Sequence, residues 1–264
     1  MIILNEKYNN FGSHMILTNK HKAKNVKGYL YDIYFPEYNW TAYDKKINVF
    51  NSGNIACPYE PRTLNKGYLG EGPFTTRESK DAKAGSRTRV YNTWSSILRR
   101  CYDPKFHEKE PSYIGTEMNK DWLNFQNFGY WDKENYYEIP GQTMQLDKDI
   151  LIKGNKIYSP DTCVYVPHHI NSLFTIRKNN RGELPLGVFE TNKGKKGHYS
   201  IQCNTMFGDK KQIRRHGYST IEDAFYAYKE LKEQEIKRVA DYYQQYIPQE
   251  LYEALYEYEV EIDD

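Results

Sequence analysis

The residues best suited to chemistry lie in one stretch, MQLDKDILIKGNKIYSPDTCVYVPHHINSLF, residues 144–174. It holds two carboxylates two positions apart, Asp147 and Asp149, and further on a carboxamide, Asn171. Hydrolysing a phosphodiester asks little covalent work of a protein. It needs a divalent cation to hold phosphate and leaving-group oxygens, and a base to activate water. Hard oxygen donors of this kind suit Mg²⁺ or Mn²⁺. Asp147, Asp149 and Asn171 are therefore the candidate metal ligands.

Local patterning supplies elements to position them. MQLDKDI has strand composition, KGNKIYSPD that of a turn, and TCVYV that of a second strand. Pro167 suits the first turn of a helix over HHINSLF. The predicted order is strand, turn, strand, helix, with Asp147 on the first strand and Asn171 on the helix. If the strand runs on to residue 149, Asp147 and Asp149 share a face and concentrate negative charge there.

Two helices are predicted upstream. In RVYNTWSSILRRCY, residues Val90, Trp94, Ile97, Leu98 and Cys101 share one helical face, and Asp103-Pro104 ends the helix. In NKDWLNFQNFGYWDKENYY, Asp121 is placed to cap, and Trp122, Phe125, Phe128 and Trp131 form an apolar stripe. Residues 1–85 mix aromatic and β-branched runs such as GYLYDIYF, NVFNSG and KGYLGEGPFTT with Gly, Pro and Asn, the pattern of short strands and turns. DAKAGSR reads as the linker that follows.

Beyond a polar segment, TIRKNNRGELP, come three strand-like runs, LGVFE, GHYSIQC and KKQIRRHGY, separated by TNKGKK and NTMFGD. In the second, Tyr199, Ile201 and Cys203 alternate with His198, Ser200 and Gln202, so one face is expected buried and the other polar. Ser219 and Glu222 have capping-box spacing at the start of a long helix. Ile221, Ala224, Phe225, Tyr228, Leu231 and Ile236 would cover the sheet. The fold class is α+β and multidomain. It comprises a small β-rich domain (1–85), a helical plus ββα middle domain (86–176), and a three-stranded antiparallel sheet with a long helix and an acidic end (185–264).

Several blocks taken together resemble phage and intron-encoded HNH homing endonucleases that also carry a domain like the plant APETALA/ethylene-response-factor DNA-binding fold. The carriers are RVYNTWSSILRRCYDP, DWLNFQNF, LDKDI…GNKIYSPDTCVYV…IN, and LGVF…HYSIQC…AFYAYKELKEQEIKRVADYY, in that order over roughly residues 87–264. The resemblance implies metal-dependent DNA cleavage or nicking, with Asp147 and Asn171 as metal ligands. Where that family has its catalytic His, this chain has Lys148. A lysine near its ordinary pKa is protonated at neutral pH and a poor base, so Lys148 is expected to neutralise phosphate charge. His168 or His169 would then have to activate water, the alternative being that both are packing or surface histidines. A second functional reading follows from Lys148: a scaffold without cleavage, acting as a DNA-binding regulator or as an inhibitor of a host protein.

The resemblance also implies that the terminal sheet lies in a major groove. Ser200, Gln202, Gln212 and Arg214 would face bases, with Arg215 adding positive charge on the third strand. Lys193, Lys195, Lys196, Lys210 and Lys211 would meet phosphates. Charge agrees in distribution more than in sum. The formal net charge is only +2, yet 193–215 carries seven Lys/Arg against Asp209 alone, and 250–264 carries seven acids and no base. The four cysteines are too scattered for a zinc ribbon and read as buried apolar residues in a reducing compartment. No apolar run suits a signal peptide or a membrane span, so the expected location is cytoplasmic, in the host cytoplasm if the chain is phage-encoded. Double-stranded DNA is the expected partner.

Overall fold

The computed structural model describes residues 5–10, 12–22, 27–53, 55–79, 86–174, 184–191, 198–207 and 211–264. The chain folds as two compact units, Met1–Glu134 and Asn135–Asp264. Helix and strand are both well represented, as an α+β chain requires. The division differs from the expected three domains. The helices after residue 86 belong with the N-terminal sheet, and the ββα hairpin belongs with the terminal sheet.

The first unit opens with an antiparallel meander, β1 (Lys7–Asn10), β2 (Ser13–His21), β3 (Leu30–Phe35) and β4 (Trp40–Lys46), in spatial order β1-β2-β3-β4. Met15, Leu17, Ile33, Phe35 and Ala42 alternate onto one face and pack with Phe50, Ile55 and Cys57. Phe50 comes from α1 (Ile47–Asn51), where the sequence predicts a strand over NVFNSG. The stretch expected to hold strands at 66–76 is irregular instead. Gln126 pins it, accepting from the Phe74 N–H and donating to the carbonyls of Leu69 and Phe74. A buried side-chain amide here does the backbone pairing that a strand neighbour would have done.

Helices α2 (Arg89–Tyr102), α3 (Pro104–Lys109) and α4 (Phe125–Asn135) follow, with the short strand β5 (Glu117–Met118) between the last two. Thr88 caps α2, and Trp94, Ile97, Leu98 and Cys101 are buried on the predicted face. Asp103 ends α2 and caps α3 through the Lys105 N–H. Asp121 does not cap α4: Asn119 accepts from the Asp121 N–H at the start of a 3-10 turn, and α4 begins only at Phe125. The apolar stripe survives the shift, with Trp122, Phe125 and Phe128 all buried. Arg89 grips buried Asp132 with two guanidinium nitrogens, fastening α2 to α4.

The second unit contains β6 (Met144–Asp147), β7 (Ile157–Tyr158), β8 (Val164–Pro167) and α5 (His168–Leu173), then β9 (Val188–Glu190), β10 (Tyr199–Asn204), β11 (Gln212–Tyr218), α6 (Ile221–Tyr243) and α7 (Gln249–Tyr256). β6 and β8 pair antiparallel, Met144 opposite Pro167 and Asp147 opposite Val164. The terminal sheet has the order β11-β10-β9, all antiparallel. Thr220, one residue beyond the predicted cap, receives the Asp223 N–H and starts α6. Ile139, Ile150, Val164, Val166 and Ile170 from the hairpin side join Val188, Ile201, Cys203, Ala224, Phe225 and Ile236 in one hydrophobic core. Hairpin and terminal sheet are therefore not separate globules. The acidic end folds back: Leu251, Leu255 and Val260 complete this core, while Asp264 and Glu261 pair with Lys153 in the hairpin turn.

Candidate metal and nucleic-acid site

Strand β6 ends at Asp147 because that residue's own carboxylate stops it. Its Oδ1 accepts the backbone N–H groups of Asp149 and Ile150 at 2.9 and 2.8 Å, turning the chain out of the ladder. Asp149 is thus not a strand residue two places along, and the shared-face expectation is corrected. The turn brings the two carboxyls close by another route. Burial first, then the neighbouring Asp149 carboxylate, push the Asp147 carboxyl up to about 6, against the backbone N–H bonds that lower it. A carboxylate held at such a cost to its charged form is one that a cation would relieve.

Asn171 projects from α5 back onto β6, where its Nδ2 donates to Gln145 Oε1 at 2.6 Å. Gln145 and Asp147 alternate onto the same face of β6. The structure therefore brings Asn171 to the strand face that carries Asp147, through a residue the sequence reading passed over. Gln145 has a sequence signal only in its spacing, two positions before the acid. Two carboxylates and a carboxamide are oxygen donors of the type Mg²⁺ takes, so Asp147, Asp149 and Asn171 fit the ion chemically.

Lys148 is placed differently from its expected role. It is only 7% exposed. Its ammonium donates to Asp149 Oδ2 and to the Asn155 carbonyl, both at 2.9 Å. Asn155 reciprocates, its Nδ2 bonding the carbonyls of Lys148 and Ile157 at 2.6 and 2.7 Å. This pair closes the hairpin turn, so Lys148 is bound into the loop where the sequence places it against phosphate. Asn155 is a second residue missed in sequence, concealed in a Gly-Asn turn that suggested only a bend.

The histidines stand at the other end of the hairpin. They follow Pro167, which pairs with Met144, whereas Asp147 pairs with Val164. Three strand residues separate the two levels, about 10 Å at 3.3–3.4 Å each. His169 Nδ1 lies 3.0 Å from the Tyr243 hydroxyl and 3.2 Å from Gln142 Nε2. The His168 N–H bonds the Thr143 carbonyl, and its side chain is exposed. The packing alternative describes His169, and neither ring is brought to the carboxylates.

On the terminal sheet, opposed residues share a face, so β10 and β11 define rungs. Ser200–His216, Gln202–Arg214 and Asn204–Gln212 lie on one side; Ile201–Arg215 and Cys203–Ile213 lie on the side that α6 covers. Arg214 Nε donates to Gln202 Oε1 at 3.1 Å, an exposed polar pair on the outer face. Two expectations are corrected here. Ser200 is fully buried, its hydroxyl bonded to Thr191 Oγ1 and His216 Nδ1, so it is not an exposed base-facing group. Arg215 sits on the α6 side of the register, exposed only because β11 is an edge strand. Asn204 and His216 join the outer face instead, and carrying the alternation one step further in each strand would have found both. Gly217, at φ +94°, supplies the extra residue of a bulge between the Tyr199–Tyr218 and Ser200–His216 pairs. Lys211 and Gln212 are exposed. Lys193, Lys195, Lys196 and Lys210 lie outside the described residues.

Against protein-family models, curated proteins and solved structures, the chain gives no match. Among the described residues, no helix is long and apolar enough to cross a membrane.

Proposed function

We propose that the chain is a double-stranded-DNA-binding protein on an HNH-type nuclease scaffold, and that binding, not cleavage, is its main act. The observation that carries this reading is the inward ammonium of Lys148, fixed on Asp149 and Asn155 where an HNH enzyme has its base. His168 and His169, the two imidazoles nearest in sequence to Asn171, occupy the far end of the hairpin and do not stand in for that base. The Gln202–Arg214 rung and Asn204–Gln212 supply a polar outer face of the width a major groove admits. Arg can bridge both acceptors of a guanine and Gln both groups of an adenine. Asp147, Asp149 and Asn171 would hold Mg²⁺ or Mn²⁺, whose chemistry when bound is to neutralise phosphate charge and acidify water.

A second reading, metal-dependent nicking, is favoured by one observation, the half-buried Asp147 carboxyl, raised by desolvation and by Asp149 beside it. Incubating supercoiled DNA with the full chain and Mg²⁺ or Mn²⁺ separates the two. Salt-sensitive binding without nicking supports the first. Nicking abolished by Asp147→Ala and Asn171→Ala supports the second. Absence of both effects leaves a protein partner as the better account.

A further inference from the structure

In the N-terminal sheet, three ligand-bearing side chains converge from three adjacent strands. They are His21 at the end of β2, Asp32 in β3 and Asp44 in β4, with one ligand atom of each within 4.8 Å of the others. Two register breaks produce the meeting. Between β2 and β3 the pairing passes from Asn19–Asp32 to Leu17–Ile33, leaving Thr18 extra. Between β3 and β4 it passes from Tyr31–Lys45 to Ile33–Ala42, leaving Tyr43 and Asp44 opposite Asp32. Asp44 takes φ +55°, a left-handed conformation that Asp and Asn tolerate better than other side chains. Its carboxylate reaches back to His21 Nε2 at 2.7 Å, and its N–H donates to Asp32 Oδ1 at 3.2 Å. Asn19 Nδ2 holds Asp32 Oδ2 at 3.0 Å. Asp32 is therefore oriented by two donors before any ligand arrives.

Two carboxylates face one imidazole, and Lys20, the cation next to His21 in sequence, lies over the Tyr29 ring. Among the described residues, His21 Nδ1 is shut off from water and has no hydrogen-bond partner. The contact with Asp44 orients the ring, and with a carboxylate as acceptor it is Nε2 that carries the proton. A divalent cation in the proton's place would balance both carboxylates. Imidazole with two carboxylates is a borderline donor set of the kind zinc accepts, at 2.0–2.2 Å per ligand. Donors around a tetrahedral zinc then sit about 3.3 Å apart. The separations here, from 2.7 Å up to 4.8 Å, bracket that value.

We propose that His21, Asp32 and Asp44 form a zinc-binding site that ties β2, β3 and β4 together, with a fourth position open to water or to a ligand atom. It is independent of the hairpin carboxylates. The test is titration of the full chain, carrying Asp147→Asn to remove the hairpin ligand, with ZnCl₂ by calorimetry and with Co²⁺ by visible absorption. One equivalent should bind, with a tetrahedral Co²⁺ band that excess Mg²⁺ does not remove. Adding Asp44→Asn, which keeps a residue suited to the left-handed backbone, should weaken binding more than tenfold with the melting temperature in EDTA unchanged. His21→Gln should abolish the Co²⁺ band. Absence of binding, or binding that both variants leave intact, overturns the proposal.

Discussion

At the scale of single residues, Asp147 and Lys148 separate what a carboxyl and an amine do in adjacent positions. Asp147 is half-buried beside a second acid, and desolvation with that neighbour raises its carboxyl to about 6 from an ordinary 3.8. The folded state therefore binds this proton more tightly than the unfolded chain does. Its contribution favours folding at pH 4 and is lost as pH rises through 6. Asp147→Asn keeps an oxygen for the Asp149 and Ile150 N–H groups and removes the charge. Urea unfolding should show this variant more stable than the parent by about 1–3 kcal/mol at pH 7.5, the difference closing toward pH 4. Mg²⁺ should stabilise the parent and leave the variant unmoved. Lys148 should behave as a structural clamp. Lys148→Ala is expected to lose about 1–3 kcal/mol of stability by orphaning the Asn155 carbonyl, with the salt dependence of DNA binding unchanged. A flattened salt dependence would mean that Lys148 meets phosphate.

At the scale of elements, the ββα order, the three terminal strands and the faces of α2 and α6 were legible, because each follows one hydrophobic period over several residues. The misreadings share a different cause. Asp147 ends its strand with its own side chain, Asn155 closes a turn through three bonds, and Gln126 substitutes for a strand partner. Such bonds run from side chain to backbone and leave no period to count. The candidate site was half visible for the same reason: the acids and Asn171 declared themselves by type, but the inward turn of Lys148 and the remoteness of the histidines depend on register. One position exposes how strictly the terminal sheet meets its helix. A Cβ on Gly187, at φ +75°, would stand 2.1 Å from the Tyr228 ring of α6. Gly187→Ala should cost at least about 2 kcal/mol from backbone strain and overpacking together, measured by chemical denaturation. A neutral result would show that this loop moves off α6 freely.

At the scale of the molecule, the shared core of the second unit bears on the proposed function. Ile170 of α5, Ile201 of β10 and Ile236 of α6 are all fully buried in it. Lys232 Nζ also crosses from α6 to the Leu173 carbonyl at 2.7 Å. The carboxylates of the hairpin and the polar rungs of the sheet are thereby held at one spacing, as a protein must hold them if both are to meet the same duplex. Ile170→Ala should cost about 2–5 kcal/mol and lower amide protection in β8 and β10 alike. Loss confined to β8 would mean that hairpin and sheet unfold separately. The central claim is that the outer face of β10 and β11 lies against DNA. The most direct measurement is the affinity of the full chain for duplex DNA as a function of salt, compared with that of Arg214→Ala and Arg215→Ala. The account predicts affinity that falls steeply with salt. Arg214→Ala should weaken binding about tenfold or more, at roughly 1–3 kcal/mol for a base-facing pair, and Arg215→Ala should do much less. Salt-independent affinity, or Arg215→Ala proving the more damaging change, would contradict it.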